Sequence, residues 1–205
     1  MRLYDDPRSG NGYKVRLALA QLGRDCDYVL VDVIRGETRT PEFLRLNPNG
    51  RVPVLELDDG TYLPESNAIL FYLAQGTPLW PTDRFEQAQV LQWMFFEQYS
   101  HEPNIATARY WLIRWELTGE PYDERLMENR RARGHAALGV MEQRLAGRDF
   151  LVGDAYSIAD VSLYAYTHVA DEGGFDLSVY PAVTRWIDLV GAQPGYVGMD
   201  FLPAA

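Results

Sequence analysis

The stretch from residue 47 to residue 57 reads NPNGRVPVLEL, and its second half is an apolar, strand-like run. Residues 58–60 are Asp-Asp-Gly, and the run Thr-Tyr-Leu follows at 61–63. Aspartate and glycine between two strand-like runs are a strong signal of a tight hairpin. This part of the chain therefore predicts two antiparallel strands joined by a turn.

Pro53 lies at the beginning of the first of these strands, directly after Val52. Proline has no N–H to donate to a sheet, so it occurs at strand edges and strand starts, and the bond before it can be cis. Two interpretations are open. Pro53 is an ordinary edge-strand proline, or its bond is cis and leaves the Val52 N–H and C=O able to pair with an extended peptide. Arg51 is either solvated or available to a carboxylate.

The segments on either side of the hairpin alternate between strand and helix patterns. Residues 1–4 and 28–33 are apolar runs that predict strands, and apolar residues recur at helical spacing over 15–22. A short helix is predicted from Pro41 and another from Ser66. The order is β-α-β-α-β-β-α, which predicts an α/β domain with a mixed sheet covered by helices.

The pattern changes after residue 76. Residues 77–83 read TPLWPTD, whose prolines indicate a linker. No strand pattern follows it, so the sequence predicts an α/β domain at 1–76 and an all-helical domain at 84–205. The helices predicted in that second domain span 84–117, 122–147, about 157–169 and 182–191. Ser157 and Asp160 have the spacing of an N-terminal capping arrangement, which predicts the start of the third of these helices.

Composition and charge exclude several classes of function. The chain has 205 residues and a formal net charge of -10 at pH 7, which argues against nucleic acid as a partner, because such binding needs clustered Lys and Arg. No apolar run approaches the roughly 18 residues of a membrane span. The single Cys26 fits a reducing, cytoplasmic setting. The 3 histidines lack metal-ligand spacing, so we expect no metal.

The segment RSGNGYK at residues 8–14 joins the first strand to the first helix. Ser9 or Asn11 can cap the helix there, and a cap alone explains the residue types. The same position also suits chemistry, because backbone N–H groups and the helix dipole favour an anion, and a hydroxyl or amide adds a donor. A thiolate is such an anion, and its pKa falls in that setting. Both interpretations remain open.

Glu65 and Ser66 begin the third predicted helix. They either complement the helix dipole and cap the helix, or they clamp an α-amino-acid end group. In the second interpretation Ser66 and nearby N–H groups hold a carboxylate while Glu65 accepts from an ammonium group. A small peptide that contains a thiol would satisfy this clamp, the strand edge at Val52 and the helix start at Ser9.

Three strings carry a resemblance to a known family: NPNGRVPVL at 47–55, ESNAILFYL at 65–73 and GDAYSIAD at 153–160. With them, the chain resembles the glutathione S-transferase family over essentially its full length. The resemblance implies a thioredoxin-like domain, an all-helical domain, a homodimer and glutathione as co-substrate. The run SGNGYK at 9–14 looks like that of theta-like and nu-like bacterial members, which implies that Ser9 and Asn11 stabilise the glutathione thiolate.

The resemblance also implies which residues hold glutathione. Val52 would pair its backbone with the cysteinyl part, and Pro53 would be the cis proline that permits this pairing. Glutathione is a net anion, and positive charge falls near its predicted site. The remaining candidates are Glu65 and Ser66 for the γ-glutamyl end, Arg39 and Arg51 for the glycine carboxylate, and Arg8 and Lys14 as neighbouring positive charges.

The implied activity is attack by the glutathione thiolate on a small hydrophobic electrophile, as in detoxification. Tyr110 and Trp111 of the helical domain are the candidates to line the apolar substrate site. No cysteine lies in the loop at 8–14, so the working thiol would be that of glutathione. Two alternatives remain open: a glutathione-dependent disulfide reductase in which a second glutathione attacks, and a binding protein of the same fold without turnover.

Overall fold

The computed structural model describes residues 1–203, and its chain divides into two compact units. The first unit contains Met1–Trp80 together with the described residues from Gln193 onward, and the second contains Pro81–Ala192. No helix within the described residues combines the length and the apolar character needed to cross a membrane.

The first unit has the predicted order of strands and helices, and the thioredoxin-like architecture is confirmed. β2 pairs in parallel with β1, β3 pairs antiparallel with β1, and β4 completes the sheet, so that the strand order is β2-β1-β3-β4. The elements are β1 (Arg2–Asp5), α1 (Gly10–Gln21), β2 (Asp27–Leu30), α2 (Pro41–Leu46), β3 (Val54–Glu56), β4 (Tyr62–Pro64) and α3 (Ser66–Ala74).

The core of the first unit lies between the sheet and the paired helices α1 and α3. It is built from aliphatic residues that the helical and strand periodicities place on facing sides. Its fully or nearly fully buried members are Leu3, Val15, Leu19, Cys26, Leu55, Ile69 and Leu73.

The second strand is shorter than its sequence pattern predicts. The pattern indicates a strand over 28–33, but β2 ends at Leu30. Val31 still donates to the carbonyl of Asp5 at 2.8 Å, after which the Asp32 N–H is taken by the carboxylate of Glu37 at 2.7 Å. This local bond turns the chain away from the sheet and leaves the Asp32 side chain beside the loop that precedes α1.

The last described residues pack on α1, although the sequence pattern assigns them to the helical domain. Tyr13 donates from its hydroxyl to the carbonyl of Val197 at 2.7 Å, and Arg16 donates to the carbonyls of Met199 and Phe201, both at 2.6 Å. Gly195 comes so close that an added Cβ would lie 2.8 Å from the Cα of Gln21. These contacts explain why this segment belongs to the first unit.

The regular elements of the second unit, which lies entirely within the described residues, are all helices, as predicted. The predicted single helix over 84–117 is interrupted by a π-helical turn at Glu97–His101, because Pro103 lacks the N–H that would continue the α-helical ladder. The helices are α4 (Arg84–Phe96), α5 (Glu102–Thr118), α6 (Glu124–Leu145), α7 (Ile158–Thr167) and α8 (Pro181–Gly191).

The predicted capping arrangement at the beginning of α7 is confirmed. Ser157 Oγ accepts from the N–H of Ala159 at 3.3 Å, and Asp160 Oδ2 accepts from the N–H of Ser157 at 3.0 Å. The buried carboxylate of Asp160 also accepts from the N–H of Leu151 and from the indole of Trp186. Burial raises the pKa of Asp160 to about 6 in spite of these donors. The motif therefore ties α7 to the preceding loop and to α8.

Candidate functional site

Ser9 is the N-cap of α1, and its side chain has the capping role that the residue type indicates. Its Oγ accepts from the N–H of Gly12 at 3.2 Å. The hydroxyl accepts in this bond, so its proton stays available for a ligand placed over the helix start. The cap and a role toward an anion are therefore compatible.

Asn11, Lys14 and Ser66 form a polar cluster between the first turn of α1 and the start of α3. Lys14 Nζ donates to Asn11 Oδ1 at 2.8 Å and to Ser66 Oγ at 3.4 Å. Ser66 Oγ donates to the same Asn11 oxygen at 3.1 Å. Lys14 is fully buried and Ser66 nearly so, whereas Asn11 is only partly buried. A buried ammonium group thus lies directly behind a side chain that reaches the surface.

A second buried cation, Arg16, joins α1 to its surroundings. Its Nε contacts Asp5 Oδ2 at 3.1 Å, and both side chains are fully buried. The other nitrogens are used elsewhere: Nη1 donates to the carbonyls of Met199 and Phe201, and Nη2 donates to the carbonyl of Pro7 at 3.0 Å. Arg16 therefore offers Asp5 a single donor instead of the bidentate fork that a guanidinium can form.

This single contact offsets only part of the free-energy cost of burying the Asp5 carboxylate. Among residues 1–203 no partner donates to its Oδ1. Burial raises the pKa of Asp5 to about 7, and the opposing effect of the Arg16 charge is smaller. The carboxylate also presses on α1, because a Cβ added to Gly12 would lie 1.6 Å from Asp5 Oδ1. Gly12 is thus required by the close approach of β1 and α1.

Arg8 is not the uncommitted positive charge that its position in the sequence indicates. It donates to Asp6 at 2.8 Å and 2.6 Å, and to Asp32 at 2.8 Å. Its hydrogen bond lowers the pKa of Asp32. Two carboxylates therefore neutralise this guanidinium, whose evident role is to hold the loop before α1 against the turn after β2.

Asn47 shapes the loop that leads into β3. Its Nδ2 donates to the carbonyl of Arg51 at 2.8 Å and its Oδ1 accepts from the N–H of Asn49 at 3.0 Å. Arg39 donates to the carbonyl of Asn49 at 3.2 Å and lies across Gly50, whose φ is +61°. In the sequence, Asn47 stands out only as part of the string at 47–55 that carries the family resemblance, so the structural role of its side chain was not predicted.

The Val52–Pro53 peptide bond is cis, and Val52 lies just outside β3. In the described part of the chain, no backbone hydrogen bond of a turn or loop uses the Val52 N–H or C=O. Arg51 is exposed beside it. The two backbone groups can therefore pair with an extended ligand, and the neighbouring guanidinium is within the same short loop.

Among residues 1–203, Glu65 is the only residue other than glycine that has a positive φ, and its φ is 72°. Such a conformation is uncommon for a residue with a Cβ, and it concentrates at functional sites. Glu65 directly precedes Ser66, the first residue of α3, and its side chain is exposed. The strained residue therefore presents a carboxylate next to the N-terminus of a nine-residue helix.

Family models match the chain in two places. The model for the N-terminal domain of glutathione S-transferases matches residues 1–75, and the model for their C-terminal domain matches residues 124–189. The chain belongs to the glutathione S-transferase family.

Solved members of this family have closely similar structures. A possible glutathione S-transferase from Rhodopseudomonas palustris is 50% identical with a TM-score of 0.93, covering 100% of this chain and 91% of that one. The glutathione S-transferase from Pseudomonas fluorescens is 51% identical with a TM-score of 0.91, covering 97% and 98%. The structure of Ure2p in complex with glutathione is 29% identical with a TM-score of 0.83, covering 95% and 90%.

Curated relatives include an isomerase and the URE2 proteins of several yeasts. Maleylacetoacetate isomerase from Pseudomonas aeruginosa is 33% identical over 96% of this chain and 93% of the relative. The URE2 protein of Candida glabrata is 32% identical over 95% of this chain. The chain spans 66% of the length of that URE2 protein.

Within the transferase fold, the predicted site residues fall into three groups. Asn11 and Ser66 are brought together by Lys14, and Ser9 lies in the same first turn of α1. Arg51 and Val52 lie in the loop before β3, Arg39 reaches this loop from the end of a short 3₁₀ helix before α2, and Glu65 directly precedes α3. Tyr110 and Trp111 lie on α5 of the second unit, and Tyr110 is 40% exposed. Their contact with a substrate stays a prediction.

Two further properties limit the chemistry. Cys26 is buried, and burial raises the pKa of its thiol to about 11, so it is not a nucleophile. Across residues 1–203, no group of three or more His, Cys, Asp or Glu side chains is arranged to hold a metal ion. The sequence indicates Lys14 only as a neighbouring positive charge: its i+3 spacing from Asn11 allows their contact, but no local pattern shows that Lys14 is buried.

Proposed function

We propose that this chain is a cytoplasmic glutathione transferase that binds glutathione on its first unit and holds its thiol as a thiolate for attack on a hydrophobic electrophile. The observation that carries this proposal is the cluster of Asn11, Lys14 and Ser66 beside the N-cap Ser9, at the start of α1. The cluster combines hydrogen-bond donors, a buried positive charge and a helix N-terminus, all of which favour a thiolate.

Glutathione would lie along the edge of the first unit. Val52 would pair with its cysteinyl backbone, Glu65 would accept from its ammonium group, and Ser66 would donate to the γ-glutamyl carboxylate. Arg39 and Arg51 would meet the glycine carboxylate. The similarity to Ure2p, which was solved in complex with glutathione, supports this placement.

Bond formation would occur at the glutathione sulfur. Ser9 Oγ–H and the Asn11 amide would donate to the sulfur, which lowers the thiol pKa because hydrogen bonds to the charged form stabilise it. The thiolate would form the new bond to the electrophilic carbon and expel the leaving group as an anion. No protein thiol takes part, in keeping with the buried Cys26.

The first test is steady-state turnover with chlorodinitrobenzene as the electrophile, comparing the wild type with Ser9→Ala and Asn11→Ala. Loss of one positioned donor to a developing or stabilised anion lowers kcat by about 100-fold in other enzymes, and we expect an effect of at least about tenfold in one of the two variants. Arg24→Ala, at an exposed position after α1, is the matched control. Unchanged turnover in both site variants would refute the assignment.

A second candidate reaction is the reduction of a disulfide by two glutathione molecules. The resemblance of the run at 9–14 to nu-like members favours it, and the first glutathione would form a mixed disulfide that the second resolves. Turnover of hydroxyethyl disulfide, chlorodinitrobenzene and maleylacetoacetate by the same preparation distinguishes reductase, transferase and isomerase activity. Tight glutathione binding with no turnover of any of the three would indicate a binding protein.

We also propose a homodimer. Large apolar side chains are exposed along one helix and its π-helical turn: Phe85 and Phe95 are 70% exposed and Tyr99 is 89% exposed. Exposed aromatic side chains that recur along one element are typical of an interaction surface. Analytical ultracentrifugation of the wild type and of Tyr99→Lys tests this, since a wild-type monomer at micromolar concentration would contradict the proposal.

A further inference from the structure

We infer that Lys14 is a positioning residue: its ammonium group holds the Asn11 amide in the orientation that donates to the glutathione sulfur, and it maintains that orientation when Ser66 turns to the γ-glutamyl carboxylate. This inference rests on the proposed function, because it assigns a role to a residue of the same site. It goes further in linking the γ-glutamyl end of the bound peptide to its cysteinyl sulfur through one buried side chain.

The first step concerns the orientation of Asn11. Lys14 Nζ lies 2.8 Å from the amide atom that faces it, and an ammonium group can only donate, so that atom is the carbonyl oxygen. Ser66 Oγ donates to the same oxygen at 3.1 Å. With two donors directed at its oxygen, the amide directs its NH₂ group the opposite way. The NH₂ group is the end that can donate to a thiolate.

The second step concerns the single proton of the Ser66 hydroxyl. In this structure that proton goes to Asn11. A carboxylate has only acceptors, so Ser66 must redirect the proton to hold the γ-glutamyl end, and Asn11 Oδ1 then loses the donor that Ser66 supplied. Lys14 has three N–H donors, and it contacts both Asn11 and Ser66. It can therefore keep the amide oriented throughout binding.

The third step concerns residue type and burial. The chain has 18 Arg residues and a single Lys, and that lysine is fully buried at this site. A compact ammonium group directs three donors in a tetrahedral arrangement, which suits two neighbouring oxygens, whereas guanidinium is a planar fork. The ionisable side chains at the ends of β1 and α3 include Asp5, which is paired with Arg16, the adjacent buried Asp6, which is paired with Arg8, and the exposed Glu65.

Lys14→Met is the direct test, because it keeps an unbranched side chain that is only one atom shorter and removes the ammonium group. We expect the acid limb of the pH profile of kcat/KM to move to higher pH by about one unit. This is the lower end of the shift that a nearby charge causes in a pKa. The ultraviolet absorbance of the bound thiolate should titrate with the same shift. Arg24→Met removes one positive charge from the exposed segment after α1, and its acid limb should match that of the wild type.

The outcomes separate this inference from the proposed function. A wild type with neither thiolate absorbance nor turnover would overturn the proposed function, and the role of Lys14 would fall with it. A wild type that forms the thiolate, alongside a folded Lys14→Met variant with an unmoved acid limb, would overturn the role of Lys14 alone.

A second measurement needs no variant, so a failure of Lys14→Met to fold leaves the inference testable. Because Lys14 is the single lysine, ¹⁵N-lysine labelling gives one side-chain ammonium resonance. Glutathione should move this resonance, and the change should follow the titration of the thiol. S-methylglutathione has no thiol to ionise, so it should show no such pH dependence. An Nζ resonance that does not respond to glutathione would refute the inference.

Discussion

For Gly12→Ala, the structure and helix propensity predict opposite changes in the free energy of unfolding. In an ordinary helix, replacing glycine by alanine stabilises a protein by about 1 kcal/mol. At Gly12 the new Cβ would lie 1.6 Å from Oδ1 and 2.0 Å from Cγ of Asp5. The Asp5 carboxylate is fully buried with Arg16, so it has no free space into which it can move without losing that partner.

The expected magnitude follows from these two effects. Breaking a buried ion pair by displacing one partner costs about 3 to 5 kcal/mol. Subtracting the propensity gain of about 1 kcal/mol leaves a net loss of about 2 to 4 kcal/mol in the free energy of unfolding. Displacement of Asp5 would also move the first turn of α1, so we expect glutathione-dependent turnover to fall in parallel.

Urea denaturation at pH 8, where Asp5 is mostly ionised and paired with Arg16, measures this loss by circular dichroism. The matched control is Gly139→Ala in α6, because no atom lies within 4 Å of the Cβ that it would add and its φ is not positive. Gly139→Ala should be neutral or more stable than the wild type by up to about 1 kcal/mol. A Gly12→Ala variant as stable as the Gly139→Ala control would refute the close approach of Asp5 to α1.

Three further predictions concern stability and reactivity. Ser157→Ala removes the N-cap of α7 and should lower the free energy of unfolding by about 1 kcal/mol in the same urea experiment. The folded-state pKa of Asp5 is raised, so its contribution to stability is greatest below pH 4 and is lost as pH rises through about 7. The free energy of unfolding of the wild type minus that of Asp5→Asn should therefore decrease between pH 5 and pH 8. An increase would mean that the Arg16 charge affects the Asp5 pKa more than burial does. Cys26 should resist alkylation in the native protein at pH 8 and react only after unfolding, as mass spectrometry would show, and Cys26→Ser should keep wild-type turnover.

The features of the fold that could be predicted are those set by local patterns. Alternating strand and helix periodicity was sufficient for the order of elements in the first unit, and the spacing of Ser157 and Asp160 was sufficient for the cap of α7. The π-helical turn was missed because its cause, Pro103, lies two residues beyond it, and the pattern over 84–117 predicts one helix without a break.

The features that could not be predicted depend on contacts between distant parts of the chain. The segment from Gln193 has no helical or strand periodicity, and its place on α1 depends on the carbonyl contacts of Arg16 and the hydroxyl of Tyr13. In the same way, the sequence places Lys14 in the site loop, but only the approach of Ser66 from α3 shows that it is buried and held by Asn11. Charged residues on a buried helix face depend on partners that no local pattern reveals.

The most direct test of the central claim is the pKa of the glutathione thiol in the complex, measured by titrating the ultraviolet absorbance of the thiolate in the presence of the wild type and of Asn11→Ala. We predict that the wild type lowers the thiol pKa by at least about one unit from that of free glutathione, and that Asn11→Ala returns it toward the free value. A thiol that titrates in the wild-type complex as it does in free solution would contradict the account.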